Sequence, residues 1–255
     1  MVRFNIESVD IRFFNKKQQH DVCGYHSFWR RLIGKMASIP LECPSSYWIA
    51  GPTSSGKTYF IRRMIKNKDE MFKLKPVAVH YCYKEWQPKL FGEMQAEEEV
   101  QFHEGLPSVD SIKEWSREVG GKHMFLILDD LQHEVCKDPE MASLFSVVSH
   151  HCCISLAFVV QNIYAQGRFS RDCALNCHYL VLFNSKRDRL QVSTLGRQLC
   201  PGKNAFFLSA YEDAVGSRNY QYLLVDLHPS TPRDFMLRTN IFPDDDDLTW
   251  VYTPK

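Results

Sequence analysis

From residue 47 onward the chain repeats one pattern. Short apolar runs recur at residues 47–50, 77–82, 124–128, 154–160, 179–183 and 222–227, each bounded by polar or turn-forming residues. A short run without polar alternation predicts a strand covered on both faces, since neither face is left to water. Between most of the runs lie stretches long enough for a helix, including residues 57–66, 139–149 and 187–199. Strands alternating with helices predict an α/β fold with a central, mostly parallel sheet flanked by helices.

The first 46 residues read differently. Alternation over residues 9–13 predicts a strand, the amphipathic run 28–33 predicts a helix, and the Pro/Ser-rich stretch 40–46 reads as a linker. The expected organisation is a small N-terminal extension and linker at 1–46, one domain at 47–243, and an acidic tail at 244–255 that opens with the aspartates 244–247. No internal repeat is visible.

Composition narrows the class. With 255 residues, 44% hydrophobic, 24% charged and a formal net charge of +1, the chain is neither low-complexity nor a constitutively basic nucleic-acid coat. No apolar run approaches the roughly 20 residues that span a bilayer, and the start carries no signal-peptide core, so no membrane partner and an intracellular protein are expected. The nine cysteines include no CxxC pair and read as reduced, mostly buried thiols. Two clusters, His20 with Cys23 and His26, and His150 with His151, Cys152 and Cys153, lack a second ligand pair at zinc spacing and read as packing or loop residues.

The strongest chemical signal is Gly51, Pro52, Thr53, Ser54, Ser55, Gly56, Lys57 and Thr58, which fits GxxxxGK[ST]. Average residue usage gives a chance match of about one per cent in a chain of this length. The run follows an apolar strand and opens a helix. Its glycines let backbone N–H groups and the helix N-terminus face a β-phosphate of ATP, Lys57 reaches the β/γ oxygens, and the Thr58 hydroxyl holds Mg²⁺.

Such a loop needs a carboxylate at a neighbouring strand end. The run 124–128 ends in Asp129 and Asp130, a Walker B pattern in which Asp129 holds the metal and Asp130 polarises the attacking water. Asp is one methylene shorter than the Glu common at the second place, which leaves the base assignment open. The run 154–160 ends in Gln161 and Asn162. Gln161 suits a γ-phosphate sensor on an extra strand between the phosphate-loop strand and the Walker B strand, an arrangement of motor-type ATPases.

The ordered series Gly51 to Thr58, Tyr83 to Gln87, Phe102 to Pro107, Leu128 to Leu131, Leu144 and Phe145 with Ser149 to His151, Gln161 to Tyr164, and Leu175 to Phe183 followed by Arg187 and Asp188 resembles one family. That family is the FtsK/HerA-type DNA-packaging ATPases of double-stranded DNA viruses, most closely those of the Polinton and adintovirus kind. The resemblance covers about Tyr47 to Pro243 and none of the first 46 residues. It implies a RecA-like P-loop NTPase fold and a homo-oligomeric ring that uses ATP to pump double-stranded DNA into a preformed capsid. It also implies capsid or portal-vertex partners, and a location in the host nucleus, a cytoplasmic viral factory or the virion. An arginine supplied in trans is expected from Arg171 or Arg187. Lys186, Arg187, Arg189 and Arg197 are candidates for gripping DNA in a chain that is neutral overall. A helicase or conjugative-type pump with no capsid partner, and a small-molecule kinase, are the rival readings.

Overall fold

The computed structural model describes residues 11–14, 28–34, 39–164, 173–174, 176–216, 219–243 and 248–254. The strands are β1 (Ile11–Phe14), β2 (Phe28–Gly34), β3 (Ser46–Ala50), β4 (Ala78–Tyr83), β5 (Val100–Glu104), β6 (Met124–Asp129), β7 (Ile154–Val160), β8 (Tyr179–Phe183), β9 (Tyr222–Asp226), β10 (Leu237–Thr239) and β11 (Leu248–Pro254). They form one sheet in the order β1-β2-β11-β10-β9-β8-β3-β7-β6-β4-β5. From β8 to β5 all neighbours run parallel. From β8 to β1 every pair is antiparallel. All six apolar runs of the sequence lie on these strands, five in the parallel part and the last, β9, in the antiparallel extension.

The principal helices are α1 (Lys57–Lys66), α2 (Pro88–Glu97), α3 (Val109–Glu118), α4 (Arg189–Leu199) and α5 (Asn204–Gly216). The stretch 139–151 is helical with a π-type turn at Leu144–Val148. Successive strand residues face opposite sides, so Tyr47 and Ile49 join one apolar layer with Phe60, Ile61, Met64 and Ile65 of α1. Trp48 and Ala50 join the other layer with Ile112 of α3, Val192 of α4 and Phe207 of α5. Burying β3 on both sides fixes the strand that launches the phosphate loop.

Two expectations are corrected. Residues 28–33 are not helical: they lie in β2, which pairs antiparallel with β11 over seven positions, from Leu248↔Gly34 to Pro254↔Phe28. Phe, Trp and Ile favour a pleated strand once a partner edge exists, and that partner lies more than 200 residues away. Residues 248–254, expected within a tail, are that partner strand and also pair with β10. The aspartates 244–247 lie outside the described residues.

Candidate active site

The phosphate loop leaves the sheet at Ala50, where the Gly51 N–H donates to the Val160 carbonyl at the tip of β7 (3.2 Å). Its curl requires left-handed backbone at Ser54 (φ 62°) and Gly56 (φ 104°). A Cβ at Gly51 would stand 2.7 Å from both the Phe183 Cβ and the Ser55 Oγ, so only glycine fits between β8 and the loop. The Ser55 hydroxyl is buried with no hydrogen-bond partner among the described residues. An unpaired buried hydroxyl costs stability until something binds it, so the loop is built to receive polar atoms.

Lys57, at the first turn of α1, donates to the Gly51 carbonyl (2.7 Å) and the Pro52 carbonyl (2.9 Å). Burial holds its ammonium below the usual lysine range, and the charges of Asp129 and Asp130 oppose that shift. The cation is thus folded back over the loop with two carboxylates facing it.

Asp129 is buried at the end of β6 and accepts a 2.5 Å hydrogen bond from the Tyr81 hydroxyl on β4. Burial raises its carboxyl above the usual range, with Tyr81's hydrogen bond the strongest opposing influence. Asp130 follows in left-handed backbone (φ 59°), which turns it out of the strand direction and into the exposed rim. Gln161, at the tip of β7, donates from Nε2 to Asp130 Oδ1 (3.4 Å), while its own backbone N–H is held by Gln132 Oε1 (3.2 Å). The strand carrying Gln161 lies between β3 and β6, as the sensor reading requires. Nearby, Lys84 donates to Glu134 Oε1 (2.9 Å).

Beside the loop opens a cleft of about 810 Å³ whose lining includes residues 52–55, Gln161, Asn162, Asn184, Lys186, Arg187 and Tyr220. The turn carrying Lys186 and Arg187 is locked from within. The Ser185 hydroxyl donates to Asp188 Oδ2 (2.7 Å), the Ser185 N–H donates to the Tyr211 hydroxyl (3.2 Å), and that hydroxyl donates to the Phe183 carbonyl (2.9 Å). Arg187 is exposed on the wall of the cleft that residues 52–55 of its own chain also line. Arg171 lies outside the described residues. Arg189 instead pairs with Glu212 (2.9 Å) on an exposed face, an interaction of little energetic weight.

This strand order, with the phosphate loop between β3 and α1 and β7 inserted before the acidic strand, is decisive. The fold is that of a RecA-like P-loop NTPase. Among solved structures, the genome packaging NTPase B204 from Sulfolobus turreted icosahedral virus 2 in complex with sulfate is 13% identical, with a TM-score of 0.44 over 73% of this chain and 93% of that one. The same NTPase in complex with ATP-gammaS gives 13% and 0.43, over 73% and 94%. EccC from Thermomonospora curvata (ATPases 2 and 3, with a signal sequence peptide) gives 9% and 0.40, over 83% of this chain and 37% of that one. No protein-family model and no curated protein matches the chain. With scores this low, the chain's own loop and strand order carry the argument.

Sequence reasoning missed Tyr81, which reads as one more core residue in an apolar run, and Tyr220, whose neighbours carry no motif. Among the described residues, no group of three or more His, Cys, Asp or Glu converges on a metal position, no disulfide joins any of the eight described cysteines, and no helix is long and apolar enough to cross a membrane.

Proposed function

We propose that this chain is an ATP-hydrolysing motor that translocates double-stranded DNA as a homo-oligomeric ring and packages a genome into a preformed capsid. The observation that carries the nucleotide half is the meeting, at one end of the sheet, of Lys57, Asp129, Asp130 and Gln161 beside a loop with an orphaned buried hydroxyl. In this reading the N–H groups of residues 51–58 and the N-terminus of α1 hold the β-phosphate. Lys57 exchanges its two carbonyl partners for β/γ oxygens. Thr58 and Asp129 are the residues that would hold Mg²⁺, which when bound neutralises charge developing on the phosphates. Asp130 orients the attacking water and accepts its proton, and the Gln161 amide, already in contact with Asp130, reports the γ-phosphate to it.

The DNA half rests on the ordered motif series from Tyr47 to Pro243, whose family packages DNA with capsid or portal-vertex partners in a host nucleus, a cytoplasmic factory or the virion. Hydrolysis then requires assembly, with Arg171 entering the neighbouring site. Arg187, on the wall of the cleft beside the phosphate loop, is the second candidate for that role and takes it if Arg171 fails the test below.

The test is ATP turnover with and without long duplex DNA. Stimulation is expected of a translocase. Turnover indifferent to DNA would favour the kinase, and nucleotide binding without turnover would favour a scaffold. Mixing Arg171→Ala with Lys57→Ala subunits should restore partial activity at shared interfaces. Mixtures that share one ring by sedimentation yet stay inactive would remove Arg171 as the trans group.

A further inference from the structure

The chemistry assigned above engages only the phosphate chain of a nucleotide. Nothing in it recognises the rest. At the rim of the same cleft, Tyr220 holds left-handed backbone (φ 63°), a strained conformation for an aromatic residue. Its ring lies so close to Gly56 that a Cβ there would stand 2.7 Å from the Tyr220 Cδ1. It is nonetheless 56% exposed, and so is Tyr59 at 52%, its ring centroid 5.9 Å away at a 41° tilt. Neither ring belongs to either apolar layer. Two large aromatic faces are thus held in water beside a phosphate-binding loop, one of them at the cost of backbone strain. Asn219 and Gln221, which flank Tyr220, add neutral amides to the cleft wall.

A flat, apolar and π-rich surface flanked by amides suits a nucleobase, whose face stacks on aromatic rings and whose edge exchanges hydrogen bonds with amides. We propose that Tyr220 is the platform on which the base of the bound nucleotide stacks, with Tyr59 beside it closing the base site. The inference rests on the nucleotide reading above and adds the group that distinguishes a nucleoside triphosphate from a bare phosphate chain.

The test measures binding of ATP and of inorganic tripolyphosphate, both with Mg²⁺, to the full chain and to Tyr220→Ala and Tyr220→Phe. Wild type should bind ATP more tightly than tripolyphosphate. Tyr220→Ala should weaken ATP roughly 5- to 150-fold, the span of one base–aromatic stack, and leave tripolyphosphate unchanged. Tyr220→Phe, which keeps the ring, should restore ATP affinity. Equal losses for both ligands would mean that Tyr220 shapes the phosphate loop through Gly56 and would overturn the proposal, as would unaltered ATP affinity in Tyr220→Ala. A wild-type chain that binds neither ligand would end the nucleotide reading itself, and the base platform with it.

Discussion

Replacing Asp226 with Asn tests the energetics of the sheet that carries the site. Asp226 on β9 and Arg238 on β10 form an ion pair whose side chains are each only 1% exposed. Asp226 also accepts the His228 N–H through Oδ1 (3.0 Å), whereas the Arg238 Nε is buried with no partner among the described residues. Asn keeps the shape and the His228 bond but leaves a buried guanidinium without its counter-charge. Breaking a buried pair in this way costs about 3–5 kcal/mol, because the orphaned charge cannot be resolvated. Against a typical total of about 5–15 kcal/mol, that is roughly a fifth or more of the stability. At roughly 2–4 °C per kcal/mol for a chain of this size, the melting temperature should fall by about 6–20 °C. Urea denaturation followed by circular dichroism supplies the free energy directly. The double variant Asp226→Leu with Arg238→Met removes both charges and the unsatisfied Nε, and should recover the loss or exceed wild type by about 1–4 kcal/mol. A single variant that loses less than about 1 kcal/mol, or a double variant as unstable as the single, would mean that the orphaned Arg238 charge carries no such cost.

Other outcomes follow from the same geometry. Gly56→Ala should cost about 1–3 kcal/mol from its backbone alone and should also displace Tyr220, whereas Gly105→Ala, left-handed but with open space around it, should show only the backbone cost; nucleotide affinity should fall in the first variant and not in the second. Asp130→Asn should bind ATP normally and fail to hydrolyse it, read by equilibrium binding beside phosphate release; normal turnover would transfer the base assignment to Glu134 or to a residue of another subunit. His80 and His178 are held neutral, chiefly by burial, with pKa values of about 4 against the ordinary 6.5. A depressed histidine makes the unfolded chain the stronger proton binder, so stability should be whole above pH 6.5 and decline as pH falls toward 4. The raised carboxyl of Asp129 works in the opposite direction, and His80→Phe should flatten the decline measured by urea midpoints.

The parallel sheet was legible because β3, β4, β6, β7 and β8 are buried on both faces and so appear as unbroken apolar runs. β5 (VQFHE) was not. It is the outer strand of the sheet and, with Gln101 and Glu104 exposed, carries too little apolar character to stand out. β2 was misread as a helix because strand partnership is a non-local property, supplied here by β11 from the far end of the chain. Lys57, Asp129, Asp130 and Gln161 could be named from sequence since each closes or opens a regular element at fixed spacing. Tyr220 could not, because its meaning lies wholly in the approach of its ring to Gly56, over 160 residues earlier.

The position of β3 also constrains how the protein comes into being. Its sheet neighbours are β7 and β8, so Tyr47 must find Ala157 and Tyr179, partners 110 and 132 residues downstream. On a ribosome, the phosphate-loop strand emerges first of the parallel set and waits, unpaired and intensely apolar, until most of the domain has been synthesised. High contact order of this kind slows folding and exposes aggregation-prone edges in the interval. A truncated product ending before residue 154 would contain the entire GxxxxGK[ST] motif and yet have no sheet position in which to hold it, so the site can arise only once β7 and β8, the latter ending at Phe183, have been made.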